Sequence, residues 1–429
     1  MTAKIHIERM MHRNSLAVRG ESAATYSLLK LIPAGGGSAA SQPMKLNIAL
    51  VLDVSGSMYE EDGTGISRLQ RVQDACASAM EKLGPEDTIA VVGFAHNAVT
   101  LLPSTPVAEK DKIEDVIRHI DQYDVDPGGT AMDEGMLLGI QAVEALMGPG
   151  RVSQVVVLTD GETSGEQNCK TLAQQAADKK INLTVMGVGT DWKEELVKEV
   201  ASISNGKWFY IDTEDAGAAA EIFVKEFQSL ASTGFVDVEL HIRPMKDIKL
   251  KRVRQVVPEI KNYNLEEVEE RHTVIKIGTL QNDNPSRYIL DLSVPKRPDG
   301  KYVIAQLEVT YDIGTGQRET TGMYPLELTY TEGGHGYVNA EVMKHIDDIH
   351  LKEMSENLEK AISGGNEAEV KKVAQQIEEK GNLMGKRAAK KTMLAKQVLE
   401  EMNVGGRVSK KTMLAFDAAA KEAEEMPTN

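Results

Sequence analysis

Asp53, Ser55 and Ser57 stand at alternate positions within KLNIALVLDVSGSM, residues 45–58, and are the first residues that could do chemistry. One carboxylate and two hydroxyls in a short loop are oxygen donors, with no His or Cys among them. Such a set suits a hard divalent cation such as Mg2+, which takes oxygen ligands in near-octahedral geometry and keeps some waters. Gly56 lets the backbone bend between the serines, so both hydroxyls can turn to one ion. Two later stretches can complete the set. Pro127-Gly128-Gly129-Thr130 is a glycine turn ending in a hydroxyl, and Val155–Gly161 (VVVLTDG) delivers the Asp160 carboxylate. Each residue also has a purely structural use. Asp53 can cap a turn, and Ser55 and Ser57 can satisfy loop backbone. Thr130 can be the N-cap of a helix over residues 131–147, with Asp133 as its partner. Their joint occurrence at the ends of apolar runs favours the ion.

Those runs are the elements that must position the donors. Ile48–Leu52 is a continuous apolar stretch bounded by turn residues, the mark of a buried central strand, and Val155–Leu158 is a second. In open α/β sheets, ligands bind in the crevice outside the carboxyl ends of the strands. Helical spacing of Leu69, Val72, Cys76, Ala79 and Leu83 follows a capping box at Ser67-x-x-Gln70 and ends at Gly84-Pro85. Strands are expected at 88–94, 99–102, 152–160, 181–188 and 207–211, and helices at 110–120, 131–147, 170–179, 193–203 and 214–231. This alternation predicts a doubly wound, mostly parallel sheet.

Asp53-x-Ser55-x-Ser57, then Gly129-Thr130, then Thr159-Asp160-Gly161 resembles the metal-ion-dependent adhesion site of von Willebrand factor type A domains. The resemblance covers roughly residues 45–230 and implies a Rossmann-like fold of the bacterial intracellular type. It implies that Ser55 and Ser57 ligate directly. Thr130 would ligate directly in one state and through water in another. Asp53 and Asp160 would hold waters and neutralise charge. It further implies a bound Mg2+, with Mn2+ or Ca2+ as alternatives, and a protein partner whose Glu or Asp completes the coordination. Asp191 ends another strand and is placed to border the same crevice. Trp192 is read as packing, and Glu60, Glu61 and Asp62 as solvated loop charge.

Around this domain, 45–232, the pattern changes. Residues 1–44 read as strands, with a flexible connector at Gly35-Gly36-Gly37-Ser38. From Phe235 the apolar positions alternate, as in Val236, Val238, Leu240 and Ile242, and similar segments continue to residue 332. The expectation is a β-sandwich over 233–332, completed by residues 1–44, with the α/β domain inserted in it. Residues 333–429 read as three or four helices broken at Gly364-Gly365 and Gly405-Gly406. Lys390–Ala395 (KKTMLA) recurs at 410–415, which fits two similar helix starts. These helices form either a hairpin docked on its own chain or a partner-binding, self-associating pair. The acidic segment 421–425 could reach the open metal position.

Bulk properties narrow the function. The 429 residues carry a formal charge of -16, which disfavours nucleic acid and anionic membrane as partners. The two cysteines, Cys76 and Cys169, offer neither metal-ligand spacing nor a disulfide framework. The start of the chain has no apolar signal core, and no stretch approaches the roughly 18–20 apolar residues of a membrane span. Cytoplasmic placement is the expectation. The nine histidines make no constellation in the sequence; His345 and His350 fall on different faces of a helix. A Mg2+-dependent phosphatase with Asp at the end of its first strand needs a second Asp two positions on, where this chain has Ser55. No Walker loop, His-Glu-x-x-His or Gly-x-Ser-x-Gly is present, so a binder rather than an enzyme is expected.

Overall fold

A computed structural model describes residues 4–18, 23–34, 44–61, 65–122, 128–163, 165–215, 217–334 and 336–421. The chain divides into two compact units, one of residues 41–236 with 312–317, the other of residues 1–40, 237–311 and 318–429. Three strands come first, β1 (Lys4–Met11), β2 (Ser15–Ala17) and β3 (Ala23–Ala34).

The α/β unit follows as β4 (Lys45–Asp53), α1 (Arg68–Met80), β5 (Thr88–Phe94), β6 (Ala98–Pro106), α2 (Lys110–Arg118), α3 (Met132–Glu144), β7 (Arg151–Thr159), α4 (Glu166–Asp178), β8 (Asn182–Val188), α5 (Glu194–Ile203), β9 (Trp208–Ile211) and α6 (Ala218–Ala231). Its sheet runs β6-β5-β4-β7-β8-β9. All neighbours are parallel except β5 and β6. The chain leaves β4 for β5 on one side and returns to β7 on the other, so the switch point of the sheet lies between β4 and β7.

Strand β4 is buried from Leu46 to Asp53 because helices cover both its faces. Ile48, Leu50 and Leu52 share one core with Leu69, Val72 and Cys76 of α1 and Phe223 and Phe227 of α6. Each such side chain contributes about 1.5–3 kcal/mol by leaving water. On the other face α3 comes in close. A Cβ on Gly135 or Gly139 would lie 2.9 or 2.6 Å from Val51, so only glycine lets this helix seat on the strand. The helix expected over 131–147 starts at Met132 with Ala131 in the N-cap place, so Thr130 is not its cap.

The remaining strands are β10 (Thr233–Pro244), β11 (Lys249–Val257), β12 (Lys261–Tyr263), β13 (Glu266–Glu269), β14 (His272–Gln281), β15 (Ser286–Val294), β16 (Gly300–Asp312), β17 (Arg318–Thr320) and β18 (Tyr324–Thr331). They make a five-stranded sheet, β1-β3-β15-β11-β12, and a seven-stranded one, β13-β14-β10-β16-β18-β2 with β17 on β16. The N-terminal strands do find partners late in the chain. Strand β3 lies antiparallel on β15, and β2 parallel to β18.

Four helices follow among the described residues, α7 (Ala340–Ser363), α8 (Glu367–Met384), α9 (Ala389–Val404) and α10 (Lys410–Lys421). Helix α7 lays Val342, Ile346 and Ile349 on Leu28, Val256 and Ile289 of the five-stranded sheet. Its later residues Leu351 and Leu358 join Val373, Ile377, Leu394, Val398 and Phe416 in a helical core. The apolar stripes are thus used within the chain, as in the docked-hairpin reading. The connector at 35–38, Asp62 and the acidic residues 422–425 lie outside the described residues.

His345 is buried and His350 exposed, on different faces of α7. Two other histidines do meet, against the expectation from sequence. A ring nitrogen of His241 on β10 lies 3.0 Å from one of His272 on β14, a pair that 31 residues of separation concealed. No helix among the described residues is long and apolar enough to cross a membrane, and both cysteines are free and buried.

Candidate metal centre

Four of the five expected oxygen residues form one hydrogen-bonded set at the carboxyl ends of β4 and β7. Asp53 is the last residue of β4, and its Oδ1 accepts from the Ser55 backbone N–H at 2.9 Å. Its Oδ2 accepts from the Thr159 hydroxyl at 2.8 Å. Both oxygens are therefore oriented by the loop and by the neighbouring strand. The Ser55 and Ser57 hydroxyls are 3.2 Å apart, and Ser57 donates to Asp160 Oδ1 at 2.8 Å. A short 3-10 turn over Gly56–Tyr59 sets that geometry.

Thr130 arrives from the third loop. Gly129 has φ +75°, a conformation glycine adopts without strain, and Ala131 N–H donates to Ala95 O at 2.5 Å. A Cβ on Gly161 would lie 3.1 Å from Thr130 Oγ1, so the threonine hydroxyl faces the backbone just after Asp160. Helix α3, seated on β4 by its two glycines, carries this loop to the switch point.

The electrostatics are uneven. Asp53 and Asp160 are fully buried. Burial, the largest influence, pushes the Asp53 carboxyl up to about 6; the bonds from Ser55 and Thr159 oppose this, and the charge of Asp160 adds to it. Among the described residues the cation in contact is Arg68, whose Nη1 donates to Asp160 Oδ2 at 2.7 Å. Its Nη2 is 3.1 Å from Glu60 and 3.8 Å from Asp191, both largely exposed. Asp191 thus borders the crevice, and Glu60 is a tether for Arg68. Trp192 is buried, lies against Gly187 and donates its indole N–H to Gly189 O at 2.8 Å, which makes it a packing residue.

Sequence reasoning missed Arg68. It is the first residue of α1, just after the Ser67 cap, and that turn holds no acidic residue. A cation at a helix N-terminus opposes the helix dipole, and this misfit was the available signal.

The fold agrees with what is known of other proteins. Residues 47–225 match the von Willebrand factor type A domain family. The uncharacterized protein sll0103 of Synechocystis sp. is 30% identical over 295 residues, which span 67% of this chain and 66% of that protein. Inter-alpha-trypsin inhibitor heavy chain H2 of Mus musculus is 30% identical over 173 residues, 38% of this chain but 18% of its own length. A solved structure of von Willebrand factor type A from Catenulispora acidiphila superposes with a TM-score of 0.79 at 15% identity, covering 98% of this chain and 97% of that one. At that identity the likeness speaks for the fold alone. The chain therefore contains a von Willebrand factor type A domain over residues 47–225.

Proposed function

We propose that the α/β unit is a metal-dependent protein-binding module. Asp53, Ser55, Ser57, Thr130 and Asp160 would hold a divalent ion, Mg2+ first and Mn2+ or Ca2+ as alternatives, and a Glu or Asp of a partner protein would complete its coordination. The observation that carries this reading is a charge deficit. Two buried carboxylates share one hydrogen-bonded set with two hydroxyls, and among the described residues one guanidinium touches it. Oxygen donors with surplus negative charge fit a hard divalent cation. When bound, that cation supplies a strong local attraction for an incoming carboxylate. The chain's own residues do the positioning. Ser55 and Ser57 are neutral donors that leave the ion electrophilic, Thr159 and the Ser55 N–H fix Asp53, and Arg68 fixes Asp160.

Domains of this family typically mediate protein–protein interactions, which supports a binder. So does Ser55 in the place where a phosphatase would carry its second Asp. A cytoplasmic location agrees with two free cysteines, and the bacterial relative agrees with a bacterial source. The same reading makes the five- and seven-stranded sheets the layers of a β-sandwich, with the α/β domain inserted in its sequence. Because the C-terminal helices bury their stripes within the chain, partner binding is assigned to the crevice rather than to helix-driven assembly.

The test is affinity capture with wild type and Ser55→Ala/Ser57→Ala, each in Mg2+ and in EDTA. Partners held only by wild type in Mg2+ are expected. Capture that ignores both the substitution and the chelator overturns the reading. Phosphatase turnover lost in Asp53→Asn would replace it with an enzyme.

A further inference from the structure

We propose that His241 and His272 form a second metal site, taking a divalent transition-metal ion such as Zn2+ or Cu2+ between Nδ1 of His241 and Nε2 of His272. This site is independent of the crevice reading and uses different chemistry, nitrogen in place of oxygen.

The two rings stand on neighbouring strands, β10 and β14, with centroids 5.3 Å apart and planes tilted by 39°. Nδ1 of His241 and Nε2 of His272 face each other at 3.0 Å. In the metal-free pair a single N–H lies between them, and a metal ion would take its place. Two Zn–N bonds of about 2.0–2.1 Å at a tetrahedral angle span about 3.3–3.4 Å, so the rings need to part by only a few tenths of an ångström.

The outer nitrogen of His241 is placed as in a metal-bound imidazole, and a carboxylate lies near that of His272 without hydrogen-bonding it. A ligating histidine usually turns its other ring nitrogen to a carboxylate, carbonyl or water, which fixes ring and tautomer. His241 Nε2 lies 3.1 Å from the Thr310 hydroxyl of β16 and 3.7 Å from Glu239. His272 Nδ1 lies 3.9 Å from Glu269. Both imidazoles are about 15% exposed, on the polar face of the strands, so a hydrated ion can reach them and water can fill its remaining positions. An ordinary solvated sheet face explains the nearby Arg243–Glu308 and Arg318–Glu239 pairs. It does not explain two histidine nitrogens 3.0 Å apart with a hydroxyl hydrogen-bonded behind one of them.

The experiment is calorimetric titration of Zn2+ into the untagged full chain, in the Ser55→Ala/Ser57→Ala background with excess Mg2+ so that the crevice does not compete. One Zn2+ per chain is expected. Affinity should fall about 100-fold or more in His272→Gln and about tenfold in Glu239→Gln, and stay unchanged in His350→Gln. Absence of Zn2+ uptake, or equal affinity in His272→Gln, overturns the site. A reading that does not depend on the variants folding comes from electron paramagnetic resonance of the Cu2+-loaded parent chain. Coupling to two imidazole nitrogens is expected, and coupling to none overturns the assignment.

Discussion

Two clusters in this molecule set arginine against buried carboxylate, and their charges balance differently. On the five-stranded sheet, Asp291 accepts two bonds from Arg254, at 2.6 and 2.8 Å, and one from Arg252 at 3.1 Å. Glu353 of α7 accepts from the same two arginines at 2.9 and 3.2 Å. Two cations meet two anions, and Arg254 Nε stays buried without a hydrogen-bond partner. In the crevice of the α/β unit, Asp53 and Asp160 are buried with Arg68 as their one cation among the described residues, and Arg68 is drawn outward by Glu60 and Asp191. The first cluster pins a helix to a sheet. The second has negative charge left over, held by neutral hydroxyls. On the proposed reading, the contrast separates a structural ion network from a site for a divalent cation.

The largest expected effect breaks the balanced cluster. Arg254→Met leaves Asp291 buried without its fork and should cost about 3–5 kcal/mol of stability. Urea unfolding followed on α7 and the sheet beneath it would measure this. The double variant Arg254→Met/Asp291→Leu should return to within about 1 kcal/mol of wild type, because paired buried charges gain little over apolar packing. A cost under about 1 kcal/mol for the single change would class the cluster with surface ion pairs.

Next comes the crevice. At a hundredfold excess over its dissociation constant, Mg2+ should add about 2.7 kcal/mol of stability. That increment should vanish in Ser55→Ala/Ser57→Ala and survive in Arg254→Met, since separated clusters respond independently. Thermal melts with Mg2+ or EDTA across the three proteins check both statements. A Mg2+ increment that persists without the two hydroxyls would place the ion elsewhere.

The two clusters also differ in how far the sequence reveals them. Asp53, Ser55 and Ser57 are legible because one loop carries them at fixed spacing, just past an apolar run that only a buried strand explains. Asp160 is legible for the same reason. Their contact with Arg68 is not, because 92 residues separate Arg68 from Asp160 and nothing local joins them. The seating of α3 is hidden in a different way. Gly135 and Gly139 read as weak helix formers, and only the distance to Val51 shows that they admit the strand. Thr130 shows a local rule failing, since it has the composition of an N-cap and Ala131 takes that place. The C-terminal helices announce their stripes through periodicity. What covers a stripe is a long-range fact, as is the meeting of His241 with His272, so the Arg254 network and the histidine pair emerge only from the fold.

A smaller effect concerns pH. The Asp53 carboxyl is raised to about 6 in the fold, chiefly by burial, against 3.8 for an unperturbed group. A carboxyl whose folded value lies above its unfolded one stabilises the fold in its protonated form. That contribution is full below about pH 4 and is lost as pH rises through about 6. In EDTA, stability should therefore fall on the order of 1 kcal/mol between pH 4.5 and 7 from this group, and Asp53→Asn should lack that slope. Mg2+ favours the ionised carboxylate, so its increment should be larger at pH 7 than at pH 5. An increment independent of pH would mean that Asp53 does not sense the ion.

The smallest expected effect separates two roles for Arg68. Its guanidinium occupies one Asp160 oxygen and brings a positive charge to a place where a divalent cation would also sit. If it acts mainly as a rival charge, Arg68→Gln should tighten Mg2+ binding by roughly three- to tenfold, about 1 kcal/mol, the size of two unit charges about 4 Å apart at the dielectric of bulk water. High salt should shrink that gain, because Arg68 opens toward Glu60 and Asp191 at the exposed rim. If it acts mainly as a brace, the same substitution should weaken Mg2+ binding, since Asp160 would lose the bond that orients Oδ2. Arg68→Lys keeps the charge but loses the planar fork, so it should restore wild-type affinity only in the first case. The charge surplus defined by Asp53 and Asp160 argues for the first. A crevice already short of positive charge is the one where removing a tethered cation deepens the demand for a free one.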